Sequence, residues 1–166
     1  MPTILKIREK NLSKSERSRT FSIGKMGEKI AKEYFHKKGI QTIPATLEEQ
    51  INEHWDFKII LGNEKEIKIE IKTDARSEDT GNLFLETEVD DDKGFLRKYD
   101  ENSDVIFGFV FPKAKQIGFI EAKQLVKIPL ENYKYKKIKH RSNNYTSAGY
   151  LVPVTDINFF AVRQYA

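Results

Sequence analysis

Two stretches in the middle of the chain, residues 55–61 and 66–73, place an apolar side chain at every second position. This is the period of a β-strand that is buried on one face, so the pattern predicts two strands. Gly62 and Asn63 separate them and indicate a tight turn, which makes the pair a hairpin. The apolar face would carry Trp55, Phe57, Ile59 and Leu61 on the first strand and Ile67, Ile69 and Ile71 on the second.

The polar face of this hairpin carries the residues on which the functional interpretation depends. Folding the chain about Asn63 sets Asp56 across from Glu70, and Lys72 follows two positions farther along the same face. Two adjacent carboxylates repel each other unless a positive charge lies between them, and carboxylate oxygens suit Mg²⁺. An ammonium group beside such an ion could hold or deprotonate a water molecule. The arrangement predicts a site that cleaves phosphodiesters.

Residues 22–38 predict the clearest helix of the chain. Ser22 is a suitable N-cap, Gly39 follows as the residue that ends the helix, and the apolar residues fall on one face. That face comprises Ile23, Met26, Ile30, Ala31, Tyr34 and Phe35. Gly24 and Gly27 each cost a helix about 1 kcal/mol relative to alanine. We therefore expect a compensating close approach here, either of the helix to the sheet or of DNA to the helix.

Glu28 departs from the pattern of this helix. It lies at the border of the apolar stripe, beside Ala31 and Phe35. One interpretation is a functional acid; the other is a solvated carboxylate in the first turn, where the helix dipole favours negative charge. The spacing alone leaves both open.

The remaining pattern predicts one α/β domain with a mixed central sheet flanked by helices. Residues 40–44 form an edge-like segment, 82–86 a third strand, and the apolar run 105–111 a central strand. Residues 116–120 would be its antiparallel neighbour, and 121–127 would start a short amphipathic helix.

Length and composition narrow the class of protein. A chain of 166 residues can bury one core, and no apolar run approaches the length of a membrane helix. Cysteine is absent, which excludes disulfides and thiolate zinc sites, and three scattered histidines are too few for a histidine-based metal cluster. The start of the chain lacks a secretory segment. We therefore expect a cytoplasmic protein without a membrane partner, associated with the nucleoid or acting in an infected host cell.

Positive charge is concentrated in two places. The net charge is +4, and lysine and arginine crowd residues 6–19 and 134–141. The first cluster predicts an N-terminal arm over 1–20, ahead of a domain over 21–166; the arm is either simply flexible or a DNA contact. In the second, lysines alternate with aromatic rings, which suits contacts to phosphates and bases or protects an exposed strand edge. Its candidate DNA contacts are Lys134, Lys136, Lys137, Lys139 and Arg141.

Several other polar residues carry alternative interpretations. The Thr73 hydroxyl could support the neighbouring lysine or a phosphate, or it could cap the strand. His54 is a loop residue or a phosphate contact, and Lys25 on the first helix is a candidate DNA contact. Glu86 begins a run of five acids that ends at Asp92, which is either a solvated loop or a cation site. Whether Glu86 joins the hairpin site stays open.

The hairpin resembles the PD-(D/E)XK nuclease superfamily. Asp56, followed after a short turn by Glu70-Ile71-Lys72, matches its motif, although Trp55 stands where the name has proline. The Glu-x-Lys pattern occurs three times in the chain, and only this copy faces an acid across the hairpin. Gly24-x-x-Gly27-Glu28 is similar to the first helix of resolvase-like members, where a glutamate completes the metal site. Residues 72–86 are also similar to uncharacterised nuclease-like proteins of phages and mobile elements.

The resemblance implies a restriction-endonuclease-like αβββαβ core and a DNA endonuclease that depends on Mg²⁺ or Mn²⁺. Glu28, Asp56 and Glu70 would be catalytic and would hold one or two ions, with the Ile71 carbonyl as a further ligand. Lys72 would orient or activate the attacking water. A homodimer is expected by analogy, because cutting both strands favours two sites.

The substrate is the most open part of this prediction. We expect a structure-directed enzyme, such as a Holliday-junction-resolvase-like or replication and repair nuclease, because no base-reading module is recognisable. One alternative is a restriction-type or mobile-element endonuclease with base specificity. Another is a non-catalytic DNA-binding protein that keeps the fold.

Overall fold

The computed structural model describes residues 14–140 and 144–166, with side chains from residue 23 onward. Within these residues ten strands form two sheets. The strands are β1 (Gln41–Pro44), β2 (Phe57–Ile60), β3 (Glu66–Thr73), β4 (Asn82–Val89), β5 (Asp92–Lys93), β6 (Val105–Phe111), β7 (Gln116–Glu121), β8 (Lys134–Lys139), β9 (Thr146–Pro153) and β10 (Ala161–Gln164). The helices are α1 (Lys14–Lys37), α2 (Leu47–Asn52), α3 (Ser77–Thr80) and α4 (Ala122–Leu125), with 3₁₀ turns at Phe95–Lys98, Leu130–Asn132 and Val154–Asp156.

The central sheet has six strands in the order β1-β2-β3-β6-β7-β10. β3 and β6 run parallel, while each of the other neighbouring pairs is antiparallel. The sheet is therefore mixed, as predicted, and the apolar run 105–111 is the interior strand β6. The edge-like segment 40–44 is confirmed as the edge strand β1.

The second sheet has four strands in the order β5-β4-β9-β8, and all of its pairs are antiparallel. Along the chain, its strands come between strands of the central sheet. β4 and β5 lie between β3 and β6, and β8 and β9 lie between β7 and β10. The prediction that 82–86 is a strand is confirmed by β4, but β4 lies in the second sheet, whereas the implied αβββαβ core has it in the central sheet. Helix α3 ends at Gly81, whose φ of 77° turns the chain out of that sheet before β4 begins.

Two apolar clusters hold these layers together. One lies between the two sheets and includes Phe107 and Phe109 from β6 with Leu83 and Leu85 from β4. The other lies between α1 and the opposite face of the central sheet, and it joins Phe35 to the strand residues Phe57, Ile69, Ile117 and Phe119. Because β6 and its neighbours contribute to both clusters, the central sheet is covered on both faces, by α1 on one and by the second sheet and α4 on the other.

Helix α1 begins at Lys14, so the prediction that Ser22 caps it is wrong. The polar residues before Ser22 have adequate helix propensity, so the helix continues through them. The end of the helix agrees with prediction: Gly39 has a φ of 72°, and the Ile40 N–H donates to the Phe35 carbonyl at 3.0 Å. Of the predicted arm, residues 1–13 lie outside the described part of the chain, and 14–20 belong to α1.

Gly27 is the point of closest approach between α1 and the central sheet. A Cβ atom at Gly27 would overlap the hydroxyl of Thr73 at the end of β3, whereas nothing lies within 4 Å of a Cβ at Gly24. The Thr73 hydroxyl donates to the Ile23 carbonyl at 3.3 Å, which holds the same end of the helix. The compensating approach expected for this helix is therefore its packing on β3, at Gly27.

The register of the central hairpin agrees with prediction, but the position of Trp55 does not. Phe57 pairs with Ile69, and Ile60 pairs with Glu66. Trp55 precedes β2 and packs in the cluster between the sheets, away from Phe57, so it does not share the face predicted for it. Its indole N–H donates to Glu53 at 2.8 Å, which stabilises this orientation.

The helices in the described part of the chain include none with both the length and the apolar character needed to cross a membrane.

Candidate active site

Three ionisable residues, Asp56, Glu70 and Lys72, lie together where β2 begins and β3 ends. The hairpin register, extended by one residue from Phe57 and Ile69, sets Asp56 against Glu70. The Asp56 N–H donates to the Ile69 carbonyl at 2.8 Å, which continues the ladder to this point. The predicted juxtaposition of the two acids is therefore present in the structure.

Asp56 is tied to β3 by its side chain as well as by its backbone. Its Oδ2 atom accepts a hydrogen bond from the Ile71 N–H at 2.7 Å. Burial and the adjacent charge of Glu70 raise the pKa of Asp56 to about 7, against the lowering effects of that hydrogen bond and of Lys72. Ionised Asp56 is thus poorly stabilised by the protein alone, and a cation between Asp56 and Glu70 would favour it.

Lys72 lies next to this pair and is held from two sides. Its Nζ atom is 3.1 Å from Glu70 Oε1 and 5.0 Å from the centre of the Phe95 ring. An ammonium group over an aromatic face gains electrostatic stabilisation from the ring. Lys72 is therefore positioned beside the carboxylate pair, as the hairpin pattern predicted.

Glu28 approaches the same place from helix α1. Burial and the charge of Asp56 raise its pKa, while Lys25 and Lys32 oppose the change. Only 24% of its side chain is exposed, and Lys25 Nζ lies 3.7 Å from Glu28 Oε2. Of the two interpretations, the structure favours a partly buried acid near Asp56 over a fully solvated one. Gly27 explains this placement, because it lets the adjacent residue of α1 lie against the end of β3.

Glu28 and Glu70 reach Asp56 from different layers. Helix α1 covers one face of the central sheet, while Glu70 alternates with the buried Ile69 and Ile71 and so points to the other face. Accordingly, no group of three or more Asp, Glu, His or Cys side chains in the described residues is close enough together to hold a metal ion. The compact part of the site is the pair Asp56 and Glu70 with Lys72.

The segment 95–99 contributes to the site, and its role was missed from the sequence. Tyr99 is 9% exposed, its ring contacts Phe107 at a centroid distance of 4.8 Å, and its hydroxyl donates to the His54 carbonyl at 2.6 Å. Burial and the charges of Glu70 and Asp56 raise the pKa of Tyr99. The apolar spacing of Phe95, Leu96 and Tyr99 would have indicated one helical turn packed on the core, but not that it covers Lys72.

His54 links this segment to the carboxylates. Its φ is 58°, a conformation that few residues other than glycine adopt, and the hydrogen bond from Tyr99 holds it there. Burial and the charges of Lys98 and Lys72 lower the pKa of its imidazole. With Lys98 and Arg97, His54 lines an open cleft of about 430 Å³. His54 therefore sits in a loop, as predicted, at the edge of a cleft beside the site.

The other residues predicted to contact DNA or to join the site lie on several different elements. The Thr73 hydroxyl is engaged with α1, which favours a structural role over contact with a phosphate. Glu86 lies on β4, where alternation with the buried Leu85 places it on the face away from the core. Lys25 pairs with Glu28, and Arg141 lies outside the described residues. The lysines at 134, 136, 137 and 139 form β8, the exposed edge strand of the second sheet.

The chain was compared with known proteins at three levels. No protein-family model matches it, and no curated protein matches it. Among solved structures, the fold is similar to that of a bacterial homing endonuclease, I-Ssp6803I, with a TM-score of 0.49 and 13% sequence identity over 84% of this chain and 82% of that one. At that level of similarity, function has to be judged from the side chains of the chain itself.

Proposed function

We propose that the protein is a metal-dependent DNA endonuclease of the PD-(D/E)XK type. The observation that carries this proposal is the end of the central hairpin, where Asp56 and Glu70 lie side by side and Lys72 Nζ lies 3.1 Å from Glu70. A buried pair of repelling carboxylates is costly unless it serves a cation.

The donor set fits a hard divalent cation. Two carboxylates are available, and the Ile71 carbonyl points to the same edge of β3 as its N–H, which is bonded to Asp56. We propose Asp56, Glu70 and the Ile71 carbonyl as ligands of Mg²⁺ or Mn²⁺, with Glu28 reaching the ion through water. When bound, the ion would offset the negative charge that builds up on the phosphate as the bond is cleaved.

The protein supplies the remaining requirements of hydrolysis. Lys72 would orient the attacking water and stabilise the developing charge, since its ammonium group lies within reach of the carboxylate pair. The Tyr99 hydroxyl holds the His54 carbonyl two residues before Asp56, and the Ile71 N–H holds the Asp56 carboxylate itself, so both fix its position. Such preorganisation is what a site of this type requires.

We further propose that DNA recognition is directed by structure more than by sequence. β8 carries four lysines, which suit contacts to phosphates that carry no sequence information, and it has no Asn or Gln, the side chains that recognise adenine. Junction resolution and repair-type cleavage are therefore favoured over a restriction-type activity, and a dimer with two sites would serve them.

The test is cleavage of a panel of labelled DNAs, comprising a four-way junction, a linear duplex, a single strand and a supercoiled plasmid. Cleavage should require Mg²⁺ or Mn²⁺ and stop with EDTA. Glu70→Gln and Lys72→Met should each lower the rate about 100-fold or more, as expected when a group acting in the transition state is lost.

The chain contains its own matched controls for these variants. Glu121 and Lys123 repeat the same Glu-x-Lys spacing on the surface, with Lys123 Nζ 3.0 Å from Glu121. Glu121→Gln and Lys123→Met should therefore cleave like the wild type. Nicking that persists in both Glu70→Gln and Lys72→Met would show that a contaminant cuts the DNA and would favour a non-catalytic DNA-binding protein.

A further inference from the structure

Strand β8, at the outer edge of the second sheet, presents lysines on both of its faces. All four of its lysines are exposed. Tyr135 pairs with Tyr150, and the two rings meet edge to face at 5.4 Å. Because Tyr150 packs against the core between the sheets, the odd-numbered residues of β8 lie on the core side and the even-numbered residues on the outer side. Lys137 and Lys139 thus share one face, and Lys134 and Lys136 the other.

The charge on these lysines is not compensated within the fold. Among the residues that the structure describes, no acidic side chain forms an ion pair with any of the four, whereas Lys58, Lys113 and Lys123 each pair with an acid. Among the described strands β8 pairs only with β9, so no described strand covers its other edge. The result is an open edge with positive charge above and below it.

The width of this edge corresponds to a groove of duplex DNA. Sheets pack about 10 Å apart, so a layer of side chains extends roughly 5 Å from each face, and an extended lysine somewhat farther. The ammonium groups of the two faces would then be separated by a distance similar to the width of the major groove, about 12 Å. A flat surface that binds one DNA strand would instead need its lysines on one face.

We propose that β8 enters the major groove of duplex DNA edge-on. Lys134 and Lys136 would contact the phosphates of one strand, and Lys137 and Lys139 those of the other. This inference rests on the proposed function only in requiring that the chain binds DNA; it does not require cleavage.

Two double variants with glutamine test the mode of binding, Lys134→Gln with Lys136→Gln and Lys137→Gln with Lys139→Gln. Affinity is measured by fluorescence anisotropy in EDTA, with a duplex of about 20 base pairs (about two helical turns). Salt is varied from roughly 50 to 200 mM. Edge-on binding predicts that both double variants lose affinity to a similar extent, roughly tenfold or more. Each should also lower the slope of log K against log salt by about 1.8, since each phosphate contact contributes about 0.9.

A control variant removes the same charge elsewhere. Lys65 lies in the β2–β3 turn and Lys127 follows α4, both exposed and at the opposite end of the central sheet from Lys72. Lys65→Gln with Lys127→Gln should keep the wild-type affinity and slope. If it loses as much affinity as the β8 variants, only net charge matters and the proposal is wrong.

Further outcomes decide against the proposal in different ways. If one β8 double variant binds like the wild type, DNA lies on a single face. If both bind normally but self-associate in sedimentation, the lysines protect the edge from pairing with other chains. The groove is identified by blocking each groove in turn. A duplex that contains glucosylated hydroxymethylcytosine, whose sugar fills the major groove, should bind more weakly. Netropsin, a ligand of the minor groove, should leave binding unchanged. The reverse result would overturn the assignment.

Because these measurements are made in EDTA, they separate this inference from the proposed function. A protein that binds edge-on but never cleaves would refute the nuclease and leave the docking mode intact. A protein that cleaves DNA but binds it equally well without its β8 lysines would support the nuclease and refute the docking mode.

Discussion

At the scale of single residues, the position of Asp56 depends on a neighbour that takes no part in the chemistry. Tyr99 donates to the His54 carbonyl at 2.6 Å and holds His54 at a φ of 58°, two residues before Asp56. A hydrogen bond of this kind contributes about 1 kcal/mol to stability, but an error of position at a catalytic group is more costly. In the proposed active site, Tyr99 would therefore act as a positioning residue.

Tyr99→Phe removes this hydrogen bond and little else. We expect cleavage to fall roughly tenfold while the DNA affinity in EDTA stays unchanged, because the carboxylate is misplaced but the binding surface is not. Steady-state cleavage and anisotropy on the same preparations check this. Tyr133→Phe is the matched control, since its hydroxyl bonds the exposed Asp156 at 3.1 Å, and it should behave like the wild type. Equal losses in both variants would contradict the assigned role.

The raised pKa of Asp56 predicts how stability varies with pH. In the folded protein its pKa is about 7, against 3.8 for an unperturbed Asp. Between these values the folded state binds more protons than the unfolded state, so without metal the free energy of unfolding falls as pH rises through this window. At about 1.4 kcal/mol per pKa unit, the loss is on the order of a few kcal/mol.

Asp56→Asn removes the titration while its amide oxygen can still accept from the Ile71 N–H. We expect the variant to lose less stability than the wild type between about pH 5 and pH 8. Urea unfolding in EDTA at several pH values measures the difference. Asp91→Asn, at an exposed turn, should retain the wild-type slope. Parallel curves for the wild type and Asp56→Asn would show that Asp56 does not titrate as stated.

At the scale of elements, the docking of α1 on β3 is decided by one glycine. Gly27→Ala gains about 1 kcal/mol of helix propensity, but its Cβ would overlap the Thr73 hydroxyl. Thr73 is stiff at χ1, so it can move only by losing its bond to the Ile23 carbonyl. We expect Gly27→Ala to destabilise the protein by about 1–3 kcal/mol, the usual cost of overpacking, and to lower cleavage by displacing Glu28.

Gly24→Ala is the built-in comparison, since nothing lies within 4 Å of its Cβ. It should stabilise the protein by about 0.5–1 kcal/mol. Chemical denaturation measures both variants, and Gly27→Ala with Thr73→Ala should recover part of the loss by making room. If Gly24→Ala and Gly27→Ala are equally stable, the close approach at Gly27 is not a constraint.

The elements that could be predicted are those whose pattern is local. Strict alternation determined the register of β2 against β3, and with it the approach of Asp56 to Glu70, because a slip by one residue would bury the charged face. The position of β4 could not be predicted in this way, since nothing in the sequence of 82–86 distinguishes one sheet from another. Trp55 was misassigned for a similar reason: it lies two residues before the strand, where alternation no longer applies.

At the scale of the whole molecule, the carboxylate pair predicts linkage between metal, stability and pH. Mg²⁺ should raise the thermal midpoint of the wild type at about pH 8, because binding at a hundred times the dissociation constant stabilises the folded state by about 2.7 kcal/mol. The effect should shrink below about pH 7, because Asp56 then holds a proton that the ion must displace. Differential scanning fluorimetry with and without EDTA measures this.

Glu70→Gln should abolish the shift of the thermal midpoint. Glu66 belongs to the other Glu-x-Lys sequence of β3, so Glu66→Gln should leave the shift unchanged. A shift that persists in Glu70→Gln would place the ion elsewhere. This readout does not depend on cleavage, so it tests the ligands separately from the reaction.

The contribution of residues 95–99 shows where sequence reasoning ends. Lys72 and Glu70 were identified from a single strand, but Phe95 contacts Lys72, and Tyr99 the His54 carbonyl, only because the chain passes through β4 and β5 of the second sheet before it reaches them. Contacts that depend on the path of a long connection have no local signal.

The order of the strands along the chain has a consequence for how the protein unfolds. Along the chain, groups of strands from one sheet alternate with groups of strands from the other. No single cut of the chain can therefore separate one sheet intact from the other. The proposed active site and strand β8 should therefore unfold in one cooperative transition, and a protease that cleaves the chain in either should disrupt both together.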